Sequence, residues 1–205
     1  MFVATIRRPT DERRGELTDA ALRIIATRGI AELTTRALAE EVGLTSGAMF
    51  RHFPSLDALL DAVVHRVEGV LDATFPPEDL PPLERLERFV DARSTAVGAN
   101  LGIMRLVLSE QFALSLPHDG SRRLSACVAK TKRFLGGCIA EGQADGTIRD
   151  DVPAPALGAI VMGATQALAL GNHAPAAATT IRRGLVTLLR PAEAPAARAP
   201  GKDKR

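Results

Sequence analysis

Residues 34–53 read TTRALAEEVGLTSGAMFRHF, and their spacing decides the fold of the first quarter of the chain. Two short helical segments flank a tight turn. Thr34 or Thr35 caps the first, and Leu38, Ala39 and Val42 form its inner face. Gly43 breaks it and can supply the positive φ that a sharp turn needs. The small Ala39 lets the next helix approach closely. Met49 follows ten residues after Ala39 and closes the little core, with Leu44 in the turn beside it. A small residue, a glycine four later and an apolar residue six after that are the spacing of a helix-turn-helix, in which one helix braces and the next enters a DNA groove. Thr45 is the N-cap of the second helix, which runs to about His52 and leaves Ser46, Gly47, Ala48, Phe50 and Arg51 exposed. Free N–H groups and small side chains at a helix start suit close approach to phosphate and to the major groove.

Working outward, a helix from about Thr10 carries Leu17, Ala20, Ala21, Ile24 and Ile25 at three- and four-residue spacing, and Gly29 stops it. Residues 1–10, with Arg7 and Arg8 before Pro9, read as a flexible arm that could touch phosphate or a minor groove. On the other side, Pro54 and Ser55 end the motif. Ser55 with Asp57 opens a fourth helix carrying Leu59, Leu60, Val63, Val64 and Val67 to about Ala73.

The chain has 205 residues and a net charge of +2, too small to argue for nucleic acid by itself. Residues 1–56 hold eight Arg against seven acids, so an electrostatic footprint must come from placement on one face. Seven Phe, no Trp and no Tyr, with abundant Ala and Leu, favour an all-α protein. Cys127 and Cys138 lie eleven residues apart on one expected helix, about 16 Å and beyond disulfide reach. They read as buried thiols of a reducing compartment, a redox sensor being the alternative. No signal peptide and no membrane span is visible, and Ala154–Leu170 suits a buried or interface helix better than a span. No paired carboxylates, metal-ligand cluster, nucleophile–His pair or phosphate-binding Gly loop lies in a suitable context, and His118 and His173 carry no metal spacing. These features argue against an enzyme, a cofactor or a metal.

Pro76, Pro77, Pro81 and Pro82 mark a break after the fourth helix. Beyond it, helices are expected over 83–97, 100–114, 121–141, 154–170 and 179–189, with a disordered tail at 191–205. The helix over 154–170 shows two stripes: Leu157, Ile160, Val161, Ala164 and Leu168, and a narrower one of Gly158, Met162, Thr165 and Ala169. A helix apolar on two faces is buried on both, and one burial can be another subunit. By helical position, Met104, Phe112, Phe134, Cys138, Met162 and Gln166 are candidate lining for an apolar pocket between helices.

Residues 13–65 resemble the N-terminal domain of the TetR family of bacterial transcriptional regulators. The residues that carry this are Ala20-Ala21, Ile24, Arg28-Gly29, the run Thr34 to Ala39, Gly43-Leu44-Thr45-Ser46-Gly47 and Phe50 to Ser55, followed by Leu59-Leu60. GIMRLVLSEQF and EGQADGTIRDDV resemble segments of the same family's ligand domain. The resemblance implies a helix-turn-helix DNA-binding domain over 11–55 and a helical regulatory and dimerisation domain over 56–190, about nine helices in all. By similarity, Thr35 would hold phosphate, Arg36 could reach a base or phosphate, Thr45, Ser46 and Gly47 would sit at the groove with Ser46 and Gly47 facing base edges, and Phe50, Arg51 and His52 would add contacts. Ala48, Phe50 and Leu56 depart from the pattern, where a hydroxyl residue, Tyr and Lys are usual, so phosphate anchoring is expected to be weaker. The last two helices of each subunit would pair into a four-helix dimer interface, expected here at Leu157, Val161, Leu168, Leu185 and Leu189, with Val186 and Leu188 beside them.

The function so implied is a cytoplasmic, homodimeric regulator of double-stranded DNA, a repressor released from a pseudo-palindromic operator by a small apolar or amphipathic effector. The alternative is a regulator whose helical body binds a protein partner in place of an effector.

Overall fold

The computed structural model describes residues 10–108, 116, 118–171 and 173–192. Among them the chain is helical: α1 (Thr10–Arg28), α2 (Thr35–Glu41), α3 (Ser46–Met49), α4 (Leu56–Asp72), α5 (Pro82–Gly98), α6 (Leu101–Leu108), α7 (His118–Ala144), α8 (Ala154–Leu170) and α9 (Pro175–Leu189), with a 3₁₀ turn at Ile30–Glu32. The expected arm and tail lie, but for Thr10, Pro191 and Ala192, outside the described residues, as does the end of the helix expected over 100–114.

Six of the nine described helices start at a side-chain cap or a proline. The hydroxyls of Thr34, Thr45 and Ser55 accept the N–H groups of Ala37, Ala48 and Ala58 at 3.1, 3.2 and 3.1 Å, opening α2, α3 and α4. The helices α5, α8 and α9 carry Pro in the first turn, where a missing N–H leaves nothing unsatisfied. For that reason α9 starts at Pro175, ahead of the expected residue 179. Longer than expected, α7 runs from His118 to Ala144. Shorter than expected, α3 ends its regular span at Met49, and a looser turn continues to Phe53 through bonds from Arg51, His52 and Phe53 to Ala48 and Met49.

The first three helices do not have a core to themselves. Leu17, Ile24, Leu38, Met49 and Phe53 belong to the same buried cluster as Leu59 and Val63 of α4, Ile103 and Leu106 of α6 and Leu124 of α7. One contact between α1 and α6 is unusually close. A Cβ on Gly102 would stand 2.3 Å from the Leu22 carbonyl oxygen, so only glycine lets these two backbones meet. Gly102→Ala is therefore expected to force α1 and α6 apart and to cost about 1–3 kcal/mol, or several degrees of Tm in a chain of this size, measured by thermal denaturation.

A second cluster joins Leu86, Phe89 and Val90 of α5 to Leu135 and Ile139 of α7, Leu157, Val161 and Leu168 of α8 and Leu185 and Leu189 of α9. These include five of the residues expected at the dimer seam. Leu157, Val161, Leu168, Leu185 and Leu189 leave between 0% and 9% of their surface exposed within one subunit, so they hold α8 and α9 onto α5 and α7. The narrower stripe of α8 is turned inward too, with Thr165 and Ala169 buried. What stays open is a third face of α8, Ala156, Ile160, Gly163, Ala167 and Leu170, of which the periodicity singled out only Ile160, there grouped with the now buried Leu157 and Val161. On α9 the open side includes Thr180, Gly184 and Leu188. The deep apolar surface of α5 and α7 takes up Leu157, Val161 and Leu168 of α8, while Ile160 and Leu170 stay outside among small residues.

Candidate functional site

The turn between α2 and α3 is built as its residues demand. Gly43 takes φ +67°, in the left-handed region, and Leu44 N–H bonds to the Ala39 carbonyl at 2.8 Å across the turn. Met49 and Leu38 are fully buried and Ala39 nearly so, which locks α3 against α2 and α1. Phe53 is buried as well, with the Arg14 guanidinium 4.6 Å from its ring centre.

This locked core leaves one polar surface. Arg36, Thr45, Ser46, Gly47, Phe50 and Arg51 are exposed, and Thr35 and His52 are half-buried beside them. The first-turn N–H groups of α3 at Ser46 and Gly47 have no intrahelical acceptors and face outward. Phe50 is 46% exposed, an unusual state for a large aromatic residue. Charge placement offsets the near balance of the segment. Arg23 and Arg28 reach Glu41 at 3.4 and 3.5 Å, Arg13 pairs with Glu16, and Arg36 pairs with Glu40 at 2.9 Å. Arg51 makes no ion pair among the described residues and projects an uncompensated charge. His52 keeps Nδ1 buried without a hydrogen-bond partner.

Behind this surface, α4 is tied to α7 by ion pairs. Arg123 of α7 donates to both oxygens of Glu68 and, at 2.5 Å, to Asp61, both on α4. The Arg123 guanidinium holds the Glu68 carboxyl below the usual carboxylate range. Lys130 of α7 reaches Asp72 at the other end of α4, at 2.7 Å. Because α4 follows α3 directly, these charges and the shared core connect α7 to the motif.

A cavity of about 260 Å³ lies between α5, α6, α7 and α8. Of the candidate lining residues, Met104, Met162 and Gln166 face it. Phe134 and Cys138 do not. Phe134 packs edge-on against Phe75 with ring centres 5.2 Å apart, and Cys138 is buried beyond it near Arg85, its thiol pushed up to about 11 by burial. Phe112 lies outside the described residues. Cys127 is half-buried at the cavity wall, and burial raises its thiol too, so both cysteines hold their protons.

Arg93, Thr131 and Lys132 also line the cavity, and the sequence reading missed them. For Arg93 a signal existed. It falls on the apolar stripe of α5 with Phe89, Val90 and Val97, and an arginine on an inner stripe is rarely bland. Thr131 shares the inner face of α7 with Leu124 and Leu135, whereas Lys132 is exposed and nothing in the pattern marks it.

Comparison with known proteins agrees with this geometry. Residues 17–63 match the family described as bacterial regulatory proteins, tetR family. The HTH-type transcriptional repressor KstR2 of Rhodococcus jostii is 27% identical over 146 residues, 68% of this chain and 70% of that protein. The structure of the ketosteroid transcriptional regulator KstR2 of Mycobacterium tuberculosis superposes with a TM-score of 0.73 at 21% identity, over 86% of this chain and 92% of that one. AibR, solved with isovaleryl coenzyme A and operator DNA, superposes with a TM-score of 0.71 at 18% identity, over 87% and 98% of the two chains. At such identities the superpositions establish the fold. Among the described residues no helix is long and apolar enough to cross a membrane. With a formed helix-turn-helix and the matched segment coinciding with it, residues 17–63 are a DNA-binding domain of the tetR family of bacterial regulatory proteins, and the chain as a whole is similar to transcriptional regulators of that family.

Proposed function

We propose that the protein is a homodimeric repressor that leaves a pseudo-palindromic operator when a small effector enters the cavity between α5, α6, α7 and α8. The observation that carries this reading is the placement of that cavity. It borders α6, which meets α1 through Gly102, and α7, which is bonded to α4 through Arg123. A ligand that favours one arrangement of these helices changes where α3 points, by as much as its affinity differs between the two arrangements. The TetR-family repressor KstR2 and the AibR complex with a coenzyme A thioester and operator DNA support a repressor with an effector.

In this reading α1–α3 bind DNA and the remaining helices regulate and dimerise, in the cytoplasm where the DNA is. Thr35, Arg36, Thr45, Ser46, Gly47, Phe50, Arg51 and His52 form the contact surface, with the α3 N-terminus against the major groove. The open face of α8 and α9, with Ile160, Leu170 and Leu188 at 46%, 57% and 53% exposure, is the dimer seam, because a solvent-facing row of large and small apolar residues on two adjacent helices is unfavourable in a monomer.

Selection of bound fragments from random DNA tests the reading. The expected product is an inverted repeat whose half-sites lie about 34–36 Å apart, or a multiple of one helical turn. Enrichment of no sequence, or of one asymmetric half-site, would sink it. Phe50→Tyr is expected to leave affinity for that operator equal or to strengthen it up to about tenfold, since the added hydroxyl can donate to phosphate. A clear loss in an anisotropy titration would mean that Phe50 packs on sugar or a thymine methyl.

A further inference from the structure

We propose that the effector cavity takes a hydrophobic anion: a carboxylate, or an anionic group of like geometry, attached to an apolar body. This deepens the effector reading given above and rests on it. Among the described residues two cations, Arg93 and Lys132, line the cavity and no acid does.

Arg93 is the sharper of the two. It is only 8% exposed, yet no carboxylate lies within ion-pair distance among the described residues. Its Nε donates to Thr74 Oγ1 at 2.7 Å and its Nη2 to the Leu71 carbonyl at 3.0 Å. Phe75 and Phe89 cover the guanidinium, with ring centres 5.2 and 4.8 Å away. Nη1 has no acceptor among the described residues. The nearby acid, Asp72, is already bonded to Lys130 at 2.7 Å. Neutral oxygens and ring faces thus hold the arginine in place without cancelling its charge. Burial pulls its pKa down to about 10, and it remains protonated at neutral pH. A buried charge is costly unless it is paired, so a ligand carrying the missing negative charge gains what the protein leaves open.

The rest of the cavity suits the other half of such a molecule. Met104, Met162, Val97, Ile103 and Val107 offer a yielding apolar wall. Lys132, exposed at the rim and without an ion pair among the described residues, adds a second cation. The Gln166 amide makes no hydrogen bond within the described chain and is free to orient a polar atom. A cavity of about 150 Å³ holds benzene, so 260 Å³ suits an apolar body of about ten carbons.

Decanoate, decanol and decylamine, which share one chain and differ in head group, test the assignment by calorimetry on the full-length protein. Decanoate is expected to bind about tenfold or more tightly than decanol, and decylamine not at all. Lys132→Gln, at an exposed position whose loss leaves the fold intact, is expected to weaken decanoate several-fold and to leave decanol unchanged. Arg93→Met is expected to remove the preference for the acid if the variant folds. Decanol or decylamine binding as well as decanoate, or no decanoate binding, would overturn the proposal, as would a Lys132→Gln variant and an Arg93→Met variant that both keep the full preference. The same compounds added to the complex with selected DNA separate the two readings. Specific DNA binding with no decanoate binding refutes the anion assignment alone. Decanoate binding by a protein that selects no DNA sequence refutes the operator reading alone.

Discussion

Arg36→Ala combined with Arg51→Ala is expected to abolish operator binding and to leave the fold untouched. Arg36 is 85% exposed at its side chain and, among the described residues, bonded only to Glu40, itself 65% exposed, a pair that contributes little to stability. Arg51 is exposed and has no ion pair among the described residues to lose. On DNA the balance reverses. Each guanidinium that meets a guanine edge or a phosphate is worth about 1–3 kcal/mol, so the double variant should bind on the order of 10² to 10⁴ times more weakly. Anisotropy titration against the selected operator measures this, with a thermal melt to show that the variant is folded. Unchanged affinity would remove α3 and the start of α2 from the contact surface. The effect should exceed that expected of an ordinary family member with a fuller set of phosphate contacts. With Ala48, Phe50 and Leu56 where hydroxyl, phenol and ammonium groups are usual, few other donors remain to hold the complex.

The second large effect distinguishes the two sides of α8 and α9. Ile160→Asp with Leu188→Asp should give folded monomers, because both side chains are about half exposed in the subunit and the new carboxylates would be buried only against a partner. Leu185→Asp should instead prevent the subunit from folding. That residue is 5% exposed and packs with α5, so an aspartate there is an unpaired charge in the core, a cost of several kcal/mol in a protein whose whole stability is about 5–15 kcal/mol. Sedimentation velocity and circular dichroism together read both outcomes. A dimer that survives the outer pair of substitutions places the interface elsewhere. A folded monomer from Leu185→Asp would contradict the packing of α9 on α5.

How much was legible in the sequence follows from the range of the interactions involved. The caps at Thr34, Thr45 and Ser55 and the turn at Gly43 depend on residues within four positions of one another, and all four are formed. Buried faces of α4 and α5 were equally legible, since a 3.6-residue period needs no knowledge of what the helix packs against. The period alone could not rank competing faces. On α8, with apolar or small residues all round, it marked Leu157, Val161 and Leu168 as candidates for a seam, and these went to the subunit's own core. Proline misled the start of α9 for a similar reason. A proline in a first turn and one in a loop look alike until the cap geometry is known.

From the sequence by itself came the all-α class, the helix-turn-helix over residues 34–53, the family and the surface offered by Arg36, Ser46, Gly47 and Arg51. Each is local: a cap, a turn glycine, or side chains left on the outside once three core residues are placed. The tertiary structure alone decided which face of α8 and α9 is open, that Gly102 is the point where α6 meets α1, and that Arg93 sits in a cavity with no acid to pair with among the described residues. These depend on helices far apart in the chain crossing at particular depths. Whether an arginine on an apolar stripe finds a carboxylate, a carbonyl or an empty space is settled by its neighbours across the core and not by those along its own helix.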